Sequence, residues 1–384
     1  LVFFTPRERP DPGILSPEVI DPRTPIVQLL DRFGPSPNGP DPRPPGRDEA
    51  WDYVRGLATS HYENFSVLSA LVPARVRDDF AAVYAFCRWS DDLGDETGST
   101  PEARARSSDL LARWRLMLAE VFTTESRPTH PVLLALQETV RRHDLPERPF
   151  ADLISAFLQD QTVTAYASWD QLLDYCTRSA NPVGRLVLML GGFRPQSEDG
   201  SGDDHEGRFR LSDDICTALQ LTNFWQDVRR DLLERGRVYM PVNETGLTPE
   251  RLREWIGRPE DPNARVPFIH ALRGLVRRTW PMFERGRALP GMLGRDLGPV
   301  VGLFLSGGCR VLRSVERAGC ATLWHRPRLS RLTKAVLVGR AFLGSRLGLP
   351  MARPVGSSDP APPMANAGSV GSDRRAEARQ GVAA

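Results

Sequence analysis

Apolar residues return every three or four positions along most of this chain, and no stretch keeps the two-residue alternation of a half-buried strand. That periodicity predicts helices over 50–66, 73–93, 101–122, 130–144, 149–165, 169–190, 208–233, 248–257, 264–286, 295–320 and 327–347. Helix breakers stand at or near their ends: Pro73, Pro101, Pro131, Pro146, Gly191-Gly192, Pro241 and Pro290. One of these helices, 169–190, carries Asn181-Pro182-Val183-Gly184 in its middle. Proline there removes an N–H and kinks a helix, while Gly184 admits a close neighbour or a ligand. Residues 1–48 and 351–384 are poor in apolar side chains and rich in Pro, Gly and charge. Such segments bury too little surface to offset the entropy of ordering, so both are expected to be disordered tails. The pattern is that of an all-α protein with one helical domain over 49–350.

Two polar interruptions set the chemistry. Ser90-Asp91-Asp92-Leu93-Gly94-Asp95 closes one predicted helix, and Asn223-Phe224-Trp225-Gln226-Asp227-Val228-Arg229-Arg230-Asp231 lies in another. Residues four apart share a helix face. Asp91 and Asp95 should therefore project together, and Gln220, Asn223, Asp227 and Asp231 should form one stripe. Like charges at that spacing destabilise a lone helix by about 0.2–0.5 kcal/mol per pair. The apolar neighbours Ile215 to Leu221 and Phe224-Trp225 indicate burial, where uncompensated carboxylates are very costly. A cation reverses the sign of that cost. Hard oxygens on a rigid face suit Mg²⁺, which takes one or two carboxylates and completes its shell with water and substrate phosphate. Arg88, three residues before Asp91, fits an internal ion pair at least as well as a ligand site.

Composition narrows the setting. The 384 residues are 40% hydrophobic and 26% charged, ordinary for a globular protein. A net charge of +2 gives no reason to expect a nucleic-acid partner. The basic residues are arginine apart from Lys334, so an arginine here is weaker evidence of a phosphate site than usual. Five scattered cysteines form no CxxC pair, which leaves neither a disulfide framework nor a zinc site and makes a reducing cytoplasm the simplest location. No apolar run reaches membrane-spanning length. No glycine fingerprint follows a strand, so a nicotinamide cofactor is not expected.

Smaller motifs carry either of two readings. In Ser60-His61-Tyr62-Glu63-Asn64-Phe65, His61 and Asn64 lie one turn apart at an otherwise apolar helix end, as ligand contacts or as satisfied core groups. In Gly236-Arg237-Val238-Tyr239-Met240-Pro241, Arg237 either reaches a phosphate or closes a loop. The basic, apolar stretch Arg326 to Arg340 suits a peripheral contact with the inner membrane face. It suits a packed helix with a solvated basic edge equally well.

Together these segments resemble the squalene and phytoene synthase family. The motifs that carry the resemblance are His61 to Phe65; Tyr84, Cys87, Arg88, Asp91, Asp92 and Asp95; Gln220, Asn223, Asp227 and Asp231; and Gly236, Arg237, Tyr239 and Pro241, in family order and spacing. The finer wording, His-Tyr-Glu-Asn-Phe, Ser-Ala-Asn-Pro-Val-Gly-Arg and Asn-Phe-Trp-Gln-Asp-Val, is similar to a bacterial hopanoid-pathway branch that forms hydroxysqualene. Relatives that condense two prenyl diphosphates usually carry Arg where this chain has Gln226 and a glycine where it has Asn181. They also carry a tyrosine late in the chain that is missing around Gly308.

The resemblance implies an isoprenoid-synthase fold with a central cavity and the two acidic helices across its mouth. It implies Mg²⁺ held by Asp91, Asp95, Asn223, Asp227 and Asp231. Diphosphate would be bound by Arg88 and Arg237, with His61, Asn64 and Gln220. The implied reaction starts from a single preformed substrate, presqualene diphosphate, and a partnership with presqualene diphosphate synthase follows from that. Asn181 or Gln226, both polar departures from the family wording, is expected to help hold the water that ends the reaction. Phe65, Phe86, Phe157, Leu186, Met189 and Phe224 are expected along the isoprenoid chain or in the core. The alternatives are condensation of two prenyl diphosphates to presqualene diphosphate, squalene or phytoene, and a non-enzymatic assembly factor on the same fold. Any of Arg326, Arg328 and Lys334 suits a further diphosphate contact.

Overall fold

A computed structural model describes residues 45–60, 71–95, 98–195 and 205–330, with isolated positions up to 339. His61, Asn64, Phe65, Lys334 and nearly all of both expected tails lie outside the described residues. Among the described residues every extended element is a helix. The longer ones are α1 Arg47–Ser60, α2 Arg77–Asp95, α3 Pro101–Val121, α4 Pro131–His143, α5 Arg148–Gln159, α6 Trp169–Ser179, α7 Asn181–Leu190 and α8 His205–Arg230. Then come the short α9 Val242–Thr245, α10 Pro249–Ile256, α11 Pro262–Gly286, the short α12 Leu289–Met292 and α13 Gly294–Arg317. Local chemistry explains many of the starts. Thr100, Thr248 and Asp261 each accept a backbone N–H of the first turn, and each is followed by a proline whose missing donor costs nothing there.

Three predicted helices change most. The helix expected over 149–165 stops at Gln159, because the chain turns there and pairs Ala165 with Val238 in an isolated bridge. The segment 169–190 is two helices rather than one kinked helix. Ala180 leaves helical geometry (φ −126°), and Pro182 starts α7, where it has no N–H to offer the carbonyl of Arg178. Residues 325–330 are irregular, so the helix expected from 327 does not begin there.

Two bundles enclose the centre. α2 packs on α1, α3, α4 and α5, and α8 packs on α6, α7, α11 and α13. α7 also touches α2 and α5, which joins the halves. Each half is built round buried aromatics whose polar tips are satisfied, as burial requires. Trp89 donates to the Tyr53 hydroxyl at 3.1 Å and Trp114 to Ser90 Oγ at 3.0 Å. In the other half Trp225 donates to Thr279 Oγ1 at 2.9 Å.

His130 links this core to pH. It caps α4, its Nδ1 accepting from the Val132 N–H at 3.2 Å, with its ring edge-on to Trp89 and Trp114. Burial pushes its pKa down from 6.5 to about 3. Between those values the unfolded chain binds a proton that the folded protein refuses, so stability is full above 6.5 and lost as pH falls. His130→Asn keeps a capping acceptor without the titration. Relative to that variant, the wild type should lose about 2 kcal/mol between pH 7 and pH 5, read by urea unfolding. A gap independent of pH would contradict the assignment.

Candidate functional site

Between the bundles lies a cavity of about 200 Å³, lined from α2, α5, α6, α7, α8, α13 and the loop after α8. Arg88, Asp91, Asp95, Gln220, Asn223, Asp227, Asp231 and Arg237 all border it. The fourfold spacing of the acids therefore does what it implies, and packing turns the two acidic faces toward one space. The rest of the wall is largely apolar. Phe157 and Phe224 line it as expected, joined by Phe80, Val183, Val187 and Phe304. Phe86, Leu186 and Met189 are core residues instead, buried among the helices.

Arginines hold the acids in place. Asp95 pairs with Arg235 at 2.6 Å and with Arg237 at 3.1 Å. Asp92 is gripped by Arg88, whose Nε donates to Oδ2 at 2.8 Å. Asp227 takes a two-pronged bond from Arg326, Nε to Oδ1 at 2.5 Å and Nη2 to Oδ2 at 2.9 Å. Of the two basic candidates in the C-terminal stretch that are described, Arg326 reaches the acidic motif and Arg328 is exposed; Lys334 lies outside the described residues. Its reach is set by Trp324, which donates to the Trp255 carbonyl at 3.0 Å and packs edge-on against Phe268.

Local backbone geometry delivers the second arginine pair. α8 ends in a π-helical turn, Asp231–Arg235, a feature that often marks functional sites. Gly236 then adopts a left-handed conformation (φ 64°), and the Arg237 N–H closes back on the Asp231 carbonyl at 2.9 Å. That positive φ is what favours glycine at residue 236; a Cβ there would stand 2.9 Å from Arg104 Nη2, the tip of a side chain that can move aside. The turn buries Arg237, which answers the two readings of its motif: it bridges Asp95 and Asp160 on the cavity wall.

Asp160, Tyr175, Ser179 and Arg235 also line the cavity and were not singled out as site residues from sequence. Asp160 accepts from the Tyr175 hydroxyl at 2.8 Å and lies 3.5 Å from that of Tyr239. Burial raises its pKa to about 6 against the pull of Arg237. A single Asp at a helix end has no motif around it, so nothing local announced its burial. Asp231 is likewise pushed up by burial, to about 7.

Two expected site residues sit elsewhere. Asn181 is buried between α7 and α8, its Oδ1 accepting from Thr217 at 2.9 Å, and Gln226 donates to the Pro327 carbonyl at 2.7 Å. Neither is among the residues that line the cavity, and each joins two segments through the bond just given. Gly184 fits the close approach expected of it. A Cβ there would meet Ser212 Oγ at 2.4 Å and Cys216 Sγ at 2.5 Å. At Gly308 a Cβ would meet Leu219 at 2.3 Å and Phe283 at 2.8 Å, which leaves no room for the tyrosine of the family wording.

The donor set suits a hard divalent ion. Asp91, Asp95, Asn223, Asp227 and Asp231 present only oxygen acceptors or an amide, and Asn223 Oδ1 is buried with no hydrogen-bond partner among the described residues. A buried orphan acceptor of that kind is costly unless a cation or donor meets it. As they stand, no three acidic, His or Cys side chains among the described residues gather closely enough to hold an ion, because arginines lie between them.

The family model described as squalene/phytoene synthase matches residues 58–333. The hydroxysqualene synthase of Sinorhizobium fredii is 30% identical over 235 residues, 61% of this chain and 73% of that protein. The phytoene synthase of Mycobacterium tuberculosis is 30% identical over 301 residues, 78% and 92%. Among solved structures, squalene synthase HpnC from Alicyclobacillus acidocaldarius is 37% identical with a TM-score of 0.59, covering 71% of this chain and 95% of that one.

Proposed function

The chain belongs to the squalene/phytoene synthase family, and on that premise we propose that it converts presqualene diphosphate to hydroxysqualene. Like its family it is an enzyme that acts on prenyl diphosphates. The observation that carries the finer reading is the cavity itself: two acidic helix faces and a set of arginines at one apolar space. The hydroxysqualene synthase relatives support the hydroxysqualene-forming branch.

Mg²⁺ held by Asp91, Asp95, Asn223, Asp227 and Asp231 would supply Lewis-acid stabilisation to the departing diphosphate oxygens. Arg235, Arg237 and Arg326 stand on or beside the same wall, and their planar forks match phosphate oxygens in geometry as well as charge. Loss of diphosphate leaves a cyclopropylcarbinyl cation. The apolar wall keeps bulk water from it while it rearranges, and the ring faces of Phe157 and Phe224 favour positive charge. One water then closes the reaction, with no hydride donor needed. Release of a product so apolar suits a peripheral contact with a membrane; no described helix is long and apolar enough to cross one.

Purified protein given presqualene diphosphate and Mg²⁺, without nicotinamide, should yield hydroxysqualene and diphosphate. Farnesyl diphosphate alone should give little. The phytoene synthase relatives favour the second reading, condensation of two prenyl diphosphates. Efficient turnover of farnesyl or geranylgeranyl diphosphate alone would select it and discard the first.

Arg326 makes a further prediction. It neutralises Asp227 from outside the acidic motif, so Arg326→Gln removes a competitor for that carboxylate. Mg²⁺ alone, titrated calorimetrically without substrate, should bind about threefold to tenfold more tightly to the variant. Unchanged or weaker binding would show that Arg326 does not compete.

A further inference from the structure

We propose that Ser179 holds the water that captures the carbocation, an assignment that rests on the reaction just given. Ser179 is 6% exposed, borders the cavity, and its hydroxyl has no hydrogen-bond partner among the described residues. Asn223 Oδ1 on the same wall shares that lack. Tyr175, one turn earlier on α6, spends its hydroxyl on Asp160, and the cavity's acids are held by arginines. A serine near a helix end ordinarily bonds back to a carbonyl of the preceding turn, and Ser179 does not. An unmade hydrogen bond on a buried hydroxyl is expensive and calls for an unseen partner.

The register of α8 against α6 and α7 gives that partner a place. Arg185 pairs with Asp213, Gly184 abuts Ser212 and Cys216, Asn181 bonds Thr217, and the Tyr175 ring lies against Phe224. Ser179 is thus bracketed between Thr217 and Phe224, opposite the turn of α8 that carries Gln220, itself on the cavity wall. A water needs two or more polar contacts to stay in an apolar site. A hydroxyl and a side-chain amide supply them, since both donate and accept.

The step balances without any redox partner. Diphosphate leaves with the C–O bonding pair. After rearrangement, a lone pair of the water held at Ser179 forms the new C–O bond to the cationic carbon. One O–H bond of that water breaks, and its proton passes to the departed diphosphate. Oriented this way, the water attacks carbon; absent, the cation loses a proton instead and ends as an alkene.

The test compares Ser179→Val and Ser179→Ala with Ser179→Thr. Each purified variant receives presqualene diphosphate and Mg²⁺ without nicotinamide, and diphosphate and both product classes are measured. The ratio of alcohol to alkene is set within each turnover, so it does not depend on how much protein is folded. For the Val and Ala variants the ratio should fall about tenfold, the worth of one hydrogen bond in the barrier, whatever the rate of diphosphate release. Ser179→Thr should restore the ratio. If wild type makes hydroxysqualene and both hydroxyl-free variants keep its ratio, the assignment alone falls. If wild type makes no hydroxysqualene, the reading of the reaction falls and takes the assignment with it.

Discussion

Asp227→Asn should slow Mg²⁺-dependent release of diphosphate from presqualene diphosphate by about 10²–10³-fold while the protein still folds. The size follows from the loss of a charged group aimed at developing negative charge, for which single deletions cost about that much. Asp227 lies on the cavity wall, on the same stripe as Asn223 and Asp231, so its charge is available to a bound cation. The folding cost should be small by comparison. Its partner Arg326 comes from an irregular segment and keeps access to solvent, so an uncompensated buried charge is not left behind. The measurement is the rate of diphosphate release at saturating Mg²⁺, beside a thermal melt. A loss under about tenfold, with the melt unchanged, would remove the acidic stripe from the chemistry.

Arg237→Leu is the mirror case, where the largest effect is on stability. The Arg237 side chain is 6% exposed and lies between Asp95 at 3.1 Å and Asp160 at 3.5 Å. Removing one member of a buried ion pair costs about 3–5 kcal/mol, because the other charge stays in place without compensation. Asp160 is that charge. Burial already raises its pKa to about 6 with Arg237 beside it, and without Arg237 it should rise further. An acid raised on folding stabilises the fold only while protonated, so the deficit of Arg237→Leu should be largest at neutral pH and shrink toward pH 5. Adding Asp160→Asn should recover part of the loss at pH 7. If the double variant is as unstable as the two losses summed, the two residues are not coupled.

The helices were legible because helix formation is local. Period, caps such as Thr248-Pro249 and breakers such as Gly191-Gly192 all act within a few residues. The acidic faces were legible for the same reason, since four residues make about one turn whatever the helix packs against. The split at Ala180 was half visible: Pro182 announced trouble, and only packing turned a kink into two helices.

What sequence determined here is therefore which side chains share a face: Asp91 with Asp95, and Asn223 with Asp227 and Asp231. Tertiary structure alone decided what each face meets. It brought Arg235 and Arg237 to Asp95 and Arg326 to Asp227, buried Asp160, and turned Asn181 and Gln226 away from the cavity. The physical reason is range. A residue's direction from its own helix is fixed by a few torsions nearby, whereas its partner across space depends on how every other helix packs.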